Sequence, residues 1–378
     1  MSPALEPGAV IGILGGGQLG SFLVASARSM GYRVHVFSPE ACSPAGTIAD
    51  REIVGDWGDA ESVRAFAAGV AVLTVETEAA PWRSLAAAEE VTLVRPGSQV
   101  LRWTQNRLEQ RAFLRDHGFP VGPYRPVLAP GDAALAAREL GLPLYLKLAE
   151  TGYDGRGQVR VAADGDTENA WAALGQRPAI AEGLVPFSHE FTIILARAAD
   201  GNAVCFPPIE TLQREGVLDV AWAPASISAS MARAAEAIAR GIGESAGLVG
   251  LLCVECYALA DGTVLVNEAA ARPHNAGHLT IEACACSQFE QLVRAVSGLP
   301  LGRPELRSPA AMANILGGHT YTAPSMPSLS GSNVFVHDYW KRPRAGRKLG
   351  HVAVNAPSVE LAQEAAIAVR AKVCNPTS

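Results

Sequence analysis

Val264-Leu265-Val266-Asn267-Glu268-Ala269-Ala270-Ala271-Arg272-Pro273-His274-Asn275-Ala276-Gly277-His278 is the stretch from which the rest of the chain can be read. Its apolar opening predicts a buried strand. A carboxamide, a carboxylate, a guanidinium and two imidazoles crowd the end of that strand. A second carboxylate, Glu255, lies on the preceding apolar run Gly250–Leu259, and Asp261-Gly262 between the two runs predicts a hairpin turn. Such a hairpin lets Glu255 and Glu268 face each other. Two carboxylates plus Asn267 suit Mg²⁺ when substrate phosphates complete its octahedron. In the competing arrangement each carboxylate is simply neutralised by an arginine such as Arg272.

The chain has 378 residues, enough for two or three domains. Its 49% hydrophobic and 18% charged content is that of a soluble globular protein. A formal net charge of −6 argues against a binder of nucleic-acid polymers, whose affinity comes from a basic surface. No apolar run reaches the roughly 18 residues of a membrane span, and Met1–Ala9 lacks the basic start of a secretory signal. Seven cysteines without scaffold spacing predict reduced thiols in a cytoplasmic protein. Cys253 and Cys256 stand three apart on a strand, hence on opposite faces, and predict buried structural thiols rather than a zinc site.

Working toward the N-terminus, Val10–Leu14 predicts a strand, Gly15–Gly20 a tight turn, the segment to Met30 a helix, and Tyr32–Phe37 a second strand. Val70–Val75 predicts a further strand, running into Thr74-Val75-Glu76-Thr77-Glu78. Strands alternating with helices imply a parallel sheet with its functional end at the strands' C-termini. Asn106–His117 predicts a helix stopped by Gly118 and Pro120. Leu144–Leu148, Val159–Val161, Ala179–Val185 and Phe191–Ala196 predict strands, and Ser228–Ala246 a helix.

Three motifs suggest ligands. Gly15-x-Gly17-x-x-Gly20 matches the dinucleotide fingerprint, but the second strand ends in Ser38-Pro39 without the acidic residue that holds a ribose. A tight turn bringing backbone and Gln18 close to some other ligand is the simpler reading. Gly152-Tyr153-Asp154-Gly155-Arg156-Gly157-Gln158 can drape over a polyphosphate, because glycine lets backbone N–H groups approach oxygen. Lys147, a lone cation on an apolar strand, needs a partner there, and a phosphate would supply one. Lys341-Arg342-Pro343-Arg344-Ala345-Gly346-Arg347-Lys348 offers guanidinium forks suited to a monophosphate.

Together these blocks resemble the ATP-grasp superfamily and, within it, the 5-(carboxyamino)imidazole ribonucleotide synthetase family. The likeness runs through Gly-Gly-Gly-Gln-Leu-Gly at 15–20, Thr-x-Glu-x-Glu at 74–78, Gln-x-Arg-Leu at 105–108 and the glycine block at 152–158. It continues through Asn267-Glu268, Arg272–His278, Ser287–Glu290 and Gly346–His351. The resemblance implies an α/β and α+β fold in three parts. These are an N-terminal parallel-sheet domain (1–104), a two-lobed ATP-grasp region (105–305, with a mobile lobe at 121–185 carrying the glycine loop), and a small C-terminal domain (306–378). It also implies a homodimer.

The activity implied is ATP-dependent carboxylation of 5-aminoimidazole ribonucleotide with bicarbonate, in purine biosynthesis, with Mg²⁺ on Glu255 and Glu268. The nucleotide would be met by Arg111, Lys147, Gly157, Gln158, Glu182, Gly183, Val185, Glu190 and Asn267, with adenine at Glu182–Val185 and ribose at Glu190. Gln18, Leu19, Glu76, Tyr153, Asn275 and Arg347 would surround the ribonucleotide. Asp154, Arg272, His274 and Lys348 would carry the chemistry, Arg272 on bicarbonate and Asp154 or His274 on the amine proton. Departures from the family pattern are Ser21, Asn106, Arg111, Leu148–Thr151 and Ala271. The alternatives are a formate-dependent ligase acting on glycinamide ribonucleotide, a non-catalytic nucleotide-binding protein, and a nicotinamide oxidoreductase.

Overall fold

A computed structural model of the chain describes residues 4–150, 157–318 and 333–374. The N-terminal unit alternates strand and helix: β1 (Val10–Leu14), α1 (Gln18–Ser29), β2 (Arg33–Ser38), β3 (Arg51–Val54), α2 (Ala60–Ala67), β4 (Val72–Val75), α3 (Trp82–Glu89), β5 (Leu93–Val94) and α4 (Ser98–Gln105). Its strands all pair in parallel in the order β3-β2-β1-β4-β5. β4 is buried throughout because both faces of the sheet are covered. The strand order reverses between β1 and β4, so the turn leaving β1 and the segment leaving β4 project together into the crevice where open parallel sheets bind ligands.

α5 (Arg107–Asp116) begins at Asn106, whose side chain accepts from the amides of Leu108 at 2.9 Å and Glu109 at 3.2 Å. That is the work of an N-cap, which asparagine and aspartate do about equally well. A four-stranded antiparallel lobe follows, built from β6 (Tyr124–Val127), α6 (Pro130–Leu140), β7 (Leu144–Leu148), β8 (Gln158–Val161), α7 (Thr167–Ala173) and β9 (Ala179–Gly183), in the order β6-β9-β7-β8. Leu144, Leu146 and Leu148 pack under Ala133, Ala137 and Trp171 of its helices. The alternate residues Tyr145 and Lys147 therefore point to the other face.

The remaining elements are β10 (Phe187–Arg197), β11 (Ala203–Cys205), β12 (Ile209–Arg214), β13 (Val217–Ala223), α8 (Ala229–Ser245), β14 (Gly250–Leu259), β15 (Val264–Ala270), α9 (Thr280–Ala283), α10 (Gln288–Ser297), β16 (Ala310–Leu316), β17 (Val334–Asp338), β18 (Lys348–Asn355) and α11 (Val359–Cys374). Their strands form one sheet, β15-β14-β10-β12-β13-β16-β18-β17, with β11 on β10. The sheet passes without a break across residues 305–306, because β16 pairs with β13 from Val220↔Ala313 to Ala223↔Ala310.

β10 is buried on both faces. Phe191, Ile193 and Leu195 pack with Met231, Ala239 and Ile242 of α8, while Ile194 and Ala196 pack with Phe289 and Leu292 of α10. Cys253 falls in the second of these clusters and Cys256 in the first, so the two thiols cannot share an ion; both are buried and free.

Candidate functional site

The hairpin expected from Asp261-Gly262 forms, and Glu255 and Glu268 are direct partners across it. β15 runs on to Ala270, so Asn267 and Glu268 lie within the strand rather than beyond it. Glu255 pairs with Glu268 and Cys256 with Val266, leaving Asn267 as an extra residue in a bulge. The bulge explains how neighbours in sequence serve one site: Asn267 Nδ2 donates to Glu255 at 3.3 Å. On β10, Thr192 opposes Glu255 and Glu190 opposes Tyr257, so Glu190 shares the carboxylates' face.

Electrostatics mark this face as a charged centre. Burial alone would raise the Glu255 carboxyl. The His274 ring, with Nε2 on its Oε1 at 2.9 Å, and the charges of Arg272 and Lys147 hold it below its ordinary value. Burial, reinforced by the charge of Glu255, pushes Glu190 up to about 7; Gln213 donates to it at 2.9 Å. Arg107, at the start of α5, lies 3.4 Å from Glu268 and donates to the Leu148 carbonyl at 3.1 Å. It thus ties the acidic pair to the strand that leads into the glycine segment.

On the lobe's face toward this centre, Glu182 takes Arg111 at 2.5 Å on one oxygen and Lys147 at 2.6 Å on the other. Burial opposes the Glu182 charge, but the two cations outweigh it and hold its carboxyl at about 2. The partner that Lys147 requires is thus a carboxylate of the protein, correcting the expectation that a phosphate alone would balance it. Glu182 likewise has both oxygens engaged by cations, so the Glu182–Val185 segment has its backbone left to offer a base. The strand ends at Gly183, two residues earlier than expected, and the Val185 carbonyl accepts from Phe187 at 2.9 Å. Phe187 stacks on Tyr257 at 4.6 Å. Gly157 accepts from the Leu148 amide at 2.8 Å and Gln158 opens β8.

The second half of the site lies at the end of the parallel sheet. Glu76 rises from β4 and accepts from the amides of Gly17 at 3.0 Å and Gly20 at 3.2 Å. A Cβ on Gly15, whose φ is +112°, would stand 2.4 Å from a Glu76 oxygen. The amides that would hold a dinucleotide's pyrophosphate are therefore spent on a carboxylate, which rules out the fingerprint's usual ligand. Glu76 itself supports the turn rather than reaching outward. Leu19 is 8% exposed and its side chain packs in the core.

Gln18 meets the Lys341 ammonium across the crevice, joining the glycine turn to the basic run between β17 and β18. Lys348 begins β18, and Arg347 donates to the Arg342 carbonyl at 3.4 Å. Between the two halves Arg272 ion-pairs directly with Glu78 at 3.2 Å and acts on the acidic pair only through its charge. Asn275 is 8% exposed, and among the described residues neither of its side-chain polar atoms has a hydrogen-bond partner. His274, expected to handle a proton, has Nε2 on Glu255 and Nδ1 receiving the Ala276 amide at 3.4 Å, the arrangement of a residue that orients a carboxylate. Tyr153 and Asp154 lie outside the described residues.

Arg107, Glu78, Gln213 and Tyr257 belong to this centre and are not among the predicted site residues, whereas Lys341 belongs to the basic run read from the sequence as a phosphate site. Arg107 and Glu78 sit within motifs that the sequence offers, Gln-x-Arg-Leu and Thr-x-Glu-x-Glu. Gln213 and Tyr257 carry no sequence signal of their own.

Comparison with known proteins agrees in all three parts of the chain. Residues 9–105 match the ribonucleotide synthetase preATP-grasp domain, 112–289 the ATP-grasp domain, and 310–365 the phosphoribosylaminoimidazole carboxylase C-terminal domain. The chain is 40% identical over 352 residues to the N5-carboxyaminoimidazole ribonucleotide synthase of Brucella melitensis, covering 92% of this chain and 97% of that protein. The fold matches an ADP complex of an N5-carboxyaminoimidazole ribonucleotide synthetase with a TM-score of 0.93 and 36% identity over 98% of both chains. It matches the Aspergillus clavatus synthase, solved with ADP and 5-aminoimidazole ribonucleotide, with a TM-score of 0.87 and 32% identity over 97% of this chain and 99% of that one. The chain belongs to the N5-carboxyaminoimidazole ribonucleotide synthase family of ATP-grasp ligases.

Proposed function

We propose that the two halves of this site hold Mg-ATP and 5-aminoimidazole ribonucleotide side by side and join bicarbonate to the ribonucleotide's amine. The products are 5-carboxyaminoimidazole ribonucleotide, ADP and phosphate. The observation that carries the reading is the opposed Glu255–Glu268 pair, with bulged Asn267 beside it, together with Lys147 of the lobe and Arg111 of α5 gathered on Glu182. Among the described residues no group of three or more His, Cys, Asp or Glu could hold a metal alone. The oxygen donors of Glu255, Glu268 and Asn267 suit a hard cation whose shell is completed by phosphate oxygens. Mg²⁺ held on Glu255 and Glu268 would supply charge neutralisation for the transferring phosphoryl group.

Bicarbonate is a poor electrophile. Transfer of the γ-phosphoryl group to it gives carboxyphosphate, an activated mixed anhydride that the amine attacks with loss of phosphate. Phosphoryl transfer asks the protein for position and charge rather than covalent help. Lys147 on the lobe's inner face, Arg111 on α5 against it and Arg107 beside Glu268 would orient the triphosphate. Arg272 stands between the metal carboxylates and the glycine turn, suited to bicarbonate and then to carboxyphosphate. Gln18, Asn275, Lys341, Arg347 and Lys348 would receive the ribonucleotide, the cations on its phosphate. Tyr153 and Asp154, outside the described residues, would contact it, with Asp154 taking the amine proton. His274 supports this reading as the residue that orients Glu255. No helix among the described residues is long and apolar enough to cross a membrane, and a cytoplasmic homodimer fits the family.

ADP release with Mg-ATP, bicarbonate and 5-aminoimidazole ribonucleotide, omitting each in turn, tests the assignment. Carboxylated product that requires all three supports it. Hydrolysis indifferent to the ribonucleotide, or a switch to formate and glycinamide ribonucleotide, overturns it. Asp154→Asn should leave ATP binding intact while suppressing carboxylation.

A further inference from the structure

Behind the basic run lies a largely buried aromatic column that the chemistry above does not use. The His351 ring on β18 stacks on His278 (centroids 5.0 Å apart, planes at 13°) and on His337 of β17 (4.5 Å, 18°). Phe22 of α1 packs against all three rings. Tyr339, 1% exposed, is hydrogen-bonded through its hydroxyl to His351 Nδ1 at 2.8 Å. Burial pushes the tyrosine up and the histidine down, so both are neutral.

These two residues bracket the basic run in sequence. Lys341 follows Tyr339 by two positions, and Lys348 precedes His351 by three. The Tyr339 amide also donates to the Leu349 carbonyl at 2.8 Å, which brings the two ends of the run together. Between Tyr339 and Lys341 the chain passes through Trp340, which is 83% exposed and left-handed, with φ of +53°. A tryptophan persists in that conformation only where its neighbours are fixed. Here one neighbour is locked in the column and the other meets Gln18.

We propose that Tyr339 and His351 are positioning residues. Their buried hydrogen bond is the clasp that sets the 341–348 run, holding Lys341 on Gln18 and Lys348 at the head of β18 where the ribonucleotide phosphate is received. The inference rests on the reading of that run as the phosphate site. A loop displaced by about 1 Å loses most of its alignment with a phosphate while leaving the nucleotide half of the site untouched.

The test is steady-state kinetics on the full chain, varying ribonucleotide and ATP separately, for Tyr339→Phe, His351→Leu, His351→Asn and Lys341→Ala. Asparagine places an amide group near the Nδ1 position and can accept or donate, so it can restore the clasp without the ring. The expected result is a ribonucleotide KM raised about tenfold in Tyr339→Phe and His351→Leu, near wild type in His351→Asn, with the ATP KM within about twofold throughout. A purely structural role would lower Tm without this split.

Equal rises in both KM values, or His351→Asn no better than His351→Leu, would overturn the clasp. So would an unchanged ribonucleotide KM in Tyr339→Phe when Lys341→Ala raises it, an outcome that leaves the phosphate reading standing. An unchanged KM in Lys341→Ala removes the phosphate reading of this run, and the clasp with it.

Discussion

Glu255 and Glu268 are paired residue to residue across the β14–β15 hairpin, two like charges placed where a sheet ordinarily avoids them. Such a pair is tolerated for what it binds. Glu268→Gln should therefore leave the metal-free protein as stable as wild type or up to about 1 kcal/mol more so. ADP release should fall about 100-fold or more, a loss of about 2.7 kcal/mol in transition-state stabilisation. Thermal melts with and without Mg-ATP, beside turnover, separate the two effects; a variant with wild-type turnover would disconnect Glu268 from the metal.

The Arg111–Glu182–Lys147 triad predicts acid sensitivity. The Glu182 carboxyl is held at about 2 against an ordinary 4.5. A depressed carboxyl contributes stability that is complete above the ordinary value and is lost as pH falls through the lower one. The acid limb of the unfolding curve between about 4.5 and 2 should flatten in Glu182→Gln. Glu182→Ala, which strands two inward cations, should cost about 3–5 kcal/mol by denaturant titration at neutral pH.

Glu190 predicts the opposite sign. Its carboxyl is raised to about 7, so its contribution is present below about 4.5 and is lost as pH climbs through 7. Glu190→Gln should remove a decline of about 2 kcal/mol over that interval, allowing for solvent screening of a half-buried group. Because Glu255 contributes to the shift, Glu255→Gln should lower the Glu190 midpoint when followed by carboxyl-resolved NMR. An unmoved midpoint would show that burial alone sets it.

Gly15→Ala should fail at the turn. The new methyl group meets Glu76 at 2.4 Å, and the φ of +112° is foreign to alanine. Loss of roughly 2–3 kcal/mol in stability and a raised ribonucleotide KM are expected, whereas Gly31→Ala, with open space around it, should disturb the fold through its φ alone and spare the KM.

Much of this was legible from local pattern. The Asp261-Gly262 turn, the alternation on β7 that turns Lys147 away from the lobe's helices, and the parallel N-terminal unit all follow from short-range signals. What sequence could not supply is long-range pairing. β12 and β13 join the ATP-grasp half of the sheet to β16 and β18 over about a hundred residues of chain, and no local pattern announces that register. Side-chain partners were hidden for the same reason: nothing local in the sequence shows that Gly17 and Gly20 donate to Glu76. Lys147 looks unpartnered until β9 brings Glu182 alongside. Asn267 and Glu268 should diverge by strand alternation, and only the bulge lets them act together.

The unbroken passage of hydrogen bonds from β13 to β16 has a practical outcome for anyone cutting this protein apart. Severing the polypeptide near position 305 would not release a tidy C-terminal module. It would leave Val220–Ala223 on one fragment and Ala310–Ala313 on the other with raw, apolar strand borders, the kind of surface that recruits stray chains. Each half should precipitate when made alone and dissolve when the two are produced together, rejoining along the seam from which they were separated.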